Sequence, residues 1–218
     1  MTDDINLNDN YMDDLPYSYN NRAITDFIKE QVKIHAQCVN ILNQRLLVSK
    51  SSPKSFDSFH SFQYITPLFQ ENYSKSFPTH SLNISFIDYE TTFFQRKTWK
   101  TFIDRYVIGH LKVNKTYPTT YIVEESLSDK IANVFTNQDL NFDQYKNFSK
   151  TFKVLTNDKD KLRSMLESKS LDLLADFPDM EIELYNNEIY FRSSRKSISL
   201  EEVQKFCELT KVVIEVFS

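Results

Sequence analysis

The stretch MEIELYNNEIYFRS, residues 180–193, decides the fold class. Two runs that alternate apolar with polar residues, MEIELY and EIYFRS, flank the pair Asn186-Asn187. Asparagine tolerates left-handed backbone at low cost, so this pair reads as a hairpin turn written without glycine. Downstream the hydrophobic period lengthens to that of a helix. Ser199 and Glu202 make a capping box, and Leu200, Val203, Phe206, Cys207, Thr210, Val213, Ile214 and Phe217 recur at three- and four-residue steps. Leu209, Val212 and Val216 add a second apolar face. Such a helix is either buried between layers or used in self-association.

Upstream of the hairpin, Asn157 or Asp158 caps a helix through about Glu167, and a second short helix spans about Ser170 to Ala175 before Pro178. Residues 148–155 read as a strand. Residues 81–94 (SLNISFIDYETTFF) and 98–113 (TWKTFIDRYVIGHLKV) are rich in β-formers, and the polar link Gln95, Arg96, Lys97 predicts a hairpin between them. Pro118 precedes a further β-rich run, TTYIVEES, and Ser126 caps a short helix over residues 127–135. The Ser/Phe-rich passage 55–69 predicts a turn or short helix leading into a strand.

Nearer the N-terminus, Ile24, Phe27, Ile28, Ile34, Cys38, Ile41, Leu42 and Leu46 follow a helical period, capped by Asn20 or Asn21 and ended by Ser49 to Pro53. That helix would run roughly 40 Å. Residues 1–20 hold Asp3, Asp4, Asp9, Asp13 and Asp14 with no Lys or Arg, which leaves the rest of a chain of net charge −4 nearly neutral. The expected organisation is an acidic disordered arm (1–20), an amphipathic helix (21–50) and a single domain (51–218). The expected fold is α+β, a largely antiparallel sheet with a long N-terminal helix and a C-terminal helix packed on it.

Composition excludes several functions. Gly109 is the one glycine in 218 residues, whereas the dinucleotide fingerprint and the Walker loop each need several at fixed spacing. Gly109 itself, inside a strand, reads as the mark of a bulge. Asp139, Asn141 and Asp143 copy the opening of a calcium loop, but Gln144 stands where glycine is needed and Lys150 where a bidentate Glu is needed. His35 and Cys38 share a helical face while His60, His80, His110 and Cys207 are scattered, so no zinc site is expected. No glycine-flanked nucleophile elbow exists, and Glu181, Glu183 and the pair Glu124-Glu125 read as wet faces of strands or helix starts. No catalytic residue, cofactor or metal is expected, and a hydrolase without a recognisable motif is the residual. Two cysteines within apolar patterns, no signal-like N-terminus and no long apolar run point to a cytoplasmic protein.

The positive signal is residues 93–115. Arg96, Lys97, Lys100, Arg105, Lys112 and Lys115 stand against Asp104 alone, with Phe94, Trp99, Phe102 and Tyr106 interleaved. Arg96, Lys97, Trp99, Lys100 and Arg105 are the candidate anion-binding patch, suited to nucleic acid or an acidic lipid surface. The leading functional expectation is a non-enzymatic module that binds a protein partner, as hetero- or homo-oligomer, through helices 22–48 or 199–217. The patch is the alternative.

The run Phe86, Asp88, Tyr89, then Pro118-Thr119-Thr120-Tyr121, then Asp139-Leu140-Asn141-Phe142-Asp143 and Phe148, followed by the 152–155 strand and the closing hairpin and helix, resembles a family of uncharacterised bacterial proteins. Its members carry a soluble C-terminal domain, often behind membrane-anchoring helices. The resemblance covers roughly 150 residues by pattern reading and departs from the family at Thr136, where a glycine is expected, and at Asn141, where an aspartate is. It implies a fold and brings no catalytic residue.

Overall fold

The computed structural model describes the backbone of residues 21–53, 67–95, 98–124, 140–194 and 197–218, and the side chains of these except 21–28 and 91–102. The chain divides into two units, residues 1–37 and 38–218, with the boundary inside the first helix. That helix, α1, is Asn21–Leu46. In the first unit Lys29 to Lys33 are exposed, and in the second Cys38, Leu42 and Leu46 turn into the core.

The second unit is built on a sheet of six described strands: β1 (Ser49–Ser51), β2 (Phe69–Ser76), β3 (His80–Gln95), β4 (Thr98–Glu124), β5 (Phe152–Thr156) and β6 (Glu181–Arg192). Every pairing is antiparallel. The remaining helices are α2 (Lys146–Thr151), α3 (Lys159–Leu166) and α4 (Leu200–Phe217), with a 3-10 turn at Leu171–Asp176. The architecture is the expected α+β class with a helix at each end of the chain.

The centre of the sheet is folded tightly. Glu181 and Arg192 lie eleven positions apart, roughly 36 Å in an extended strand, yet Arg192 Nη2 donates to Glu181 Oε2 at 2.5 Å. Therefore β6 doubles back on itself, and it does so at Asn186, whose φ is 56°. The expected hairpin turn is there. β4 rounds the same corner on the outside: Lys112 faces Glu188 and Thr120 faces Leu184, so the outer strand uses eight positions where the inner uses four. The register slips on both sides of Tyr117. The two strands expected on either side of Pro118 are thus the arms of one bent strand.

Gly109 is not at that corner. It pairs regularly with Ile84 and Phe191, and a Cβ there would lie 2.1 Å from Cζ of the Phe191 ring. Close approach of an aromatic ring, not a bulge, requires the glycine. Residues 148–155 are also corrected. The first four belong to α2 and only 152–156 form a strand. Asp158 caps α3, its side chain accepting from the Lys161 N–H at 3.0 Å. The helix read over 127–135 and the passage 54–66 fall outside the described residues.

Ile84, Phe86, Val107, Leu111, Ile182, Leu184, Ile189 and Phe191 form the apolar face. α4 packs there, Phe206 stacking on Phe191 with ring centroids 5.5 Å apart. Val203, Cys207, Leu209, Val213, Val216 and Phe217 are buried too, so both apolar faces of α4 belong to the core. Ser199 Oγ accepts from the Glu202 N–H as the capping box requires. The Glu202 carboxylate accepts from Ser194 Oγ, tying the helix start to the end of β6.

Candidate functional site

β3 and β4 pair without a slip from His80↔Val113 to Gln95↔Thr98. Their neighbours stop much earlier. β2 ends against β3 at Asp88, and β6 ends against β4 at Gly109, where Ile198 N–H then caps the carbonyl of Arg105 at 2.8 Å. Beyond Asp88 and Arg105, no third described strand pairs with either edge. Seven residue pairs, Tyr89↔Asp104 to Gln95↔Thr98, form a two-stranded ribbon standing roughly 20 Å past the sheet.

The candidate patch divides between this ribbon and the body. Trp99 faces Phe94 across the ribbon and Lys100 faces Phe93. Arg96 and Lys97, between the two strand ends, fall outside the described residues. Arg105 is a correction: its guanidinium grips Asp88 through Nε to Oδ1 and Nη2 to Oδ2, each at 2.5 Å, and lies over the Phe69 ring at 5.7 Å. A bidentate pair uses up the planar fork that an anion would need. Lys115, the last cation of the basic segment 93–115, donates to the Ser218 carbonyl at 3.0 Å.

The second face of the sheet holds what sequence reasoning misplaced. Side chains alternate along a strand, so Tyr106, His110, Tyr190 and Arg192 lie opposite the apolar face. Glu181 and Glu183, expected in water, are 3% and 2% exposed. The reversal of β6 sets Arg192 beside Glu181, and its guanidinium lies 6.0 Å from the centre of the Tyr106 ring. Burial and a hydrogen bond with Tyr89 push the Tyr106 hydroxyl above its usual range. His110 packs on Tyr190 at 4.6 Å, its Nε2 3.5 Å from Glu188 Oε1 and its Nδ1 3.4 Å from Asn83 Nδ2. On β2 and β3, Ser85 Oγ donates to Asn72 Oδ1.

This buried polar row is a pairing network. Among the described residues, no group of three or more His, Cys, Asp or Glu converges as a metal site would require. Alternation gave the sign of each face correctly but could not tell that the polar face is buried too. The one signal available was Arg192 facing Glu181 across the predicted hairpin, an ion pair directly opposed.

Two further places offer less. A shallow depression of about 460 Å³, open to solvent, is lined by Asn141, Phe142, Asp143, Lys146, Ser149 and Lys150. It includes part of the calcium-like loop, and Lys146 and Lys150 beside Asp143 oppose a cation. The thiols Cys38 and Cys207 are each fully buried, and burial pushes both up to about 11, away from nucleophilic use.

No family model, curated protein or solved structure matches the chain. Among the described residues, no helix is long and apolar enough to cross a membrane. Within the second unit, the β3–β4 ribbon runs on past the described strands that flank it.

Proposed function

We propose that the protein is a non-enzymatic binding module whose contact element is the β3–β4 ribbon. The observation that carries this reading is the ladder itself, unbroken for sixteen pairs while its supporting strands leave after Asp88 and Gly109. A two-stranded ribbon alone is marginally stable in water. The seven pairs have no third described strand beside them, and binding elements are drawn from low-stability regions of this kind. Trp99, Lys100 and, by sequence, Arg96 and Lys97 are its contact residues, in place of the five-residue patch that included Arg105. A cytoplasmic protein with reduced thiols and membership of the resembling bacterial family both belong to this proposal.

Amide hydrogen exchange tests it. Amides of 91–95 and 98–102 are expected to exchange through local opening, several orders of magnitude faster than those of 106–112. Equal, global protection of both segments would make the ribbon a structural part of the sheet and overturn the reading.

A further inference from the structure

We infer that Lys169 is an acylation site, modified by a small acyl phosphate that the neighbouring Lys115 holds in place. Three elements meet there. Lys115 stands on the corner stretch of β4, between the pair Lys112↔Glu188 and the pair Tyr117↔Asn186. Lys169 follows α3 with its backbone fixed on both sides: its N–H donates to the Leu166 carbonyl and its carbonyl accepts from the Leu171 N–H, each at 2.9 Å. The end of α4 lies between the two side chains. Lys115 Nζ donates to the Ser218 carbonyl at 3.0 Å, and Lys169 Nζ donates to the same oxygen at 3.5 Å. The Tyr117 hydroxyl takes the carbonyl before it, that of Phe217, at 2.8 Å.

Two ammonium groups gathered on one oxygen leave an excess of positive charge. Among the described residues, no side-chain carboxylate lies within ion-pair distance of either lysine. Burial, and after it the Lys115 ammonium, holds Lys169 below the usual lysine value of 10.5. The two side chains therefore divide the work. Half-buried Lys169 is the one that sheds its proton at lower pH, and the neutral amine is the nucleophile. Exposed Lys115 offers its ammonium to the phosphoryl oxygens of an anionic donor. In the step, the Lys169 amine attacks the acyl carbonyl, and the new C–N bond forms as the acyl C–O bond breaks. Phosphate leaves with the electron pair and takes up the proton that the amine releases. The amide keeps one N–H for the Ser218 carbonyl and removes the charge that Lys115 repels.

The protein would be incubated with acetyl phosphate over a range of pH, and the acetylation of each lysine read by mass spectrometry after proteolysis. Lys169 should be acetylated several-fold faster than the exposed Lys115, Lys146 and Lys150, with its rate rising at lower pH than theirs. Inorganic phosphate, compared with chloride at equal ionic strength, should slow Lys169 and spare the others. Lys115→Gln should bring Lys169 down to the rate of the exposed lysines, whereas Lys115→Arg, which keeps the charge, should preserve its lead. Both variants are checked for unchanged thermal unfolding, and if Lys115→Gln unfolds, Lys115→Arg and the pH profile of the unaltered protein decide. Acetylation of Lys169 no faster than that of the exposed lysines, a coincident pH profile, no competition by phosphate, or indifference to Lys115→Gln would overturn the inference.

Discussion

Phe191 occupies the space that a side chain at position 109 would need, its Cζ lying 2.1 Å from where a Cβ would stand. The ring is fully buried and is stacked on Phe206 from α4, so it cannot move aside without unpacking the helix from the sheet. Gly109→Ala should therefore cost about 3 kcal/mol, which in a protein of this size lowers Tm by roughly 10 °C. Adding Phe191→Leu to Gly109→Ala should recover part of that loss, a coupling that a double-mutant cycle in urea reads directly. Additive losses would mean that the close contact is not what excludes a side chain.

The Glu181–Arg192 pair makes a second prediction. Removing one partner leaves the other charge buried without its main counter-charge, so Arg192→Met should destabilise by about 3–5 kcal/mol. The double variant Glu181→Leu/Arg192→Met should be more stable than Arg192→Met alone. The comparison by chemical denaturation is informative because the pair also closes the reversal of β6.

His80 sets a pH dependence. Its ring stacks on Phe77 at 4.3 Å, Thr79 Oγ1 meets Nδ1 at 3.0 Å, and Nε2 is buried without a hydrogen-bond partner. Burial holds its pKa below the usual histidine value of 6.5. The unfolded chain then binds the proton first, so this contribution is fully present above pH 6.5 and is lost as pH falls from there through the folded-state value. Imidazole NMR titration should show His80 charging below 6.5, and His80→Gln should flatten the corresponding fall in stability.

Both thiols should be inert in the native state. Cys38 and Cys207 are fully buried with pKa pushed up to about 11, so a disulfide reagent at pH 8 should modify neither until denaturant unfolds the chain. Rapid labelling of the native protein would contradict the packing of α1 and α4 against the sheet.

Local signals were legible wherever the chemistry was local. Asn186 reverses the chain with φ 56°, Asp158 and Ser199 cap their helices, and the strands expected on either side of the polar link pair antiparallel up to Gln95↔Thr98. What was hidden depends on long-range pairing. Arg105 looks like a free cation in sequence because Asp88, seventeen positions away, becomes its neighbour only through the β3–β4 register. Glu181 and Glu183 read as wet because period-two alternation distinguishes faces but not whether the polar face meets water. Gly109 reads as a bulge because Phe191, the ring that explains it, lies 82 positions downstream. The candidate site followed the same rule: Trp99 and Lys100 could be singled out from composition, whereas the lack of a third described strand beside the ribbon depends on where β2 and β6 end.

The most direct test of the ribbon as contact element is to replace residues 91–102 with Asn-Gly and measure Tm. No third described strand pairs with these residues, so Tm should stay within roughly 3 °C of the full-length protein, less than about 1 kcal/mol for a chain this size. A fall of roughly 10 °C or more would show that the ribbon holds the fold together, and would contradict the account.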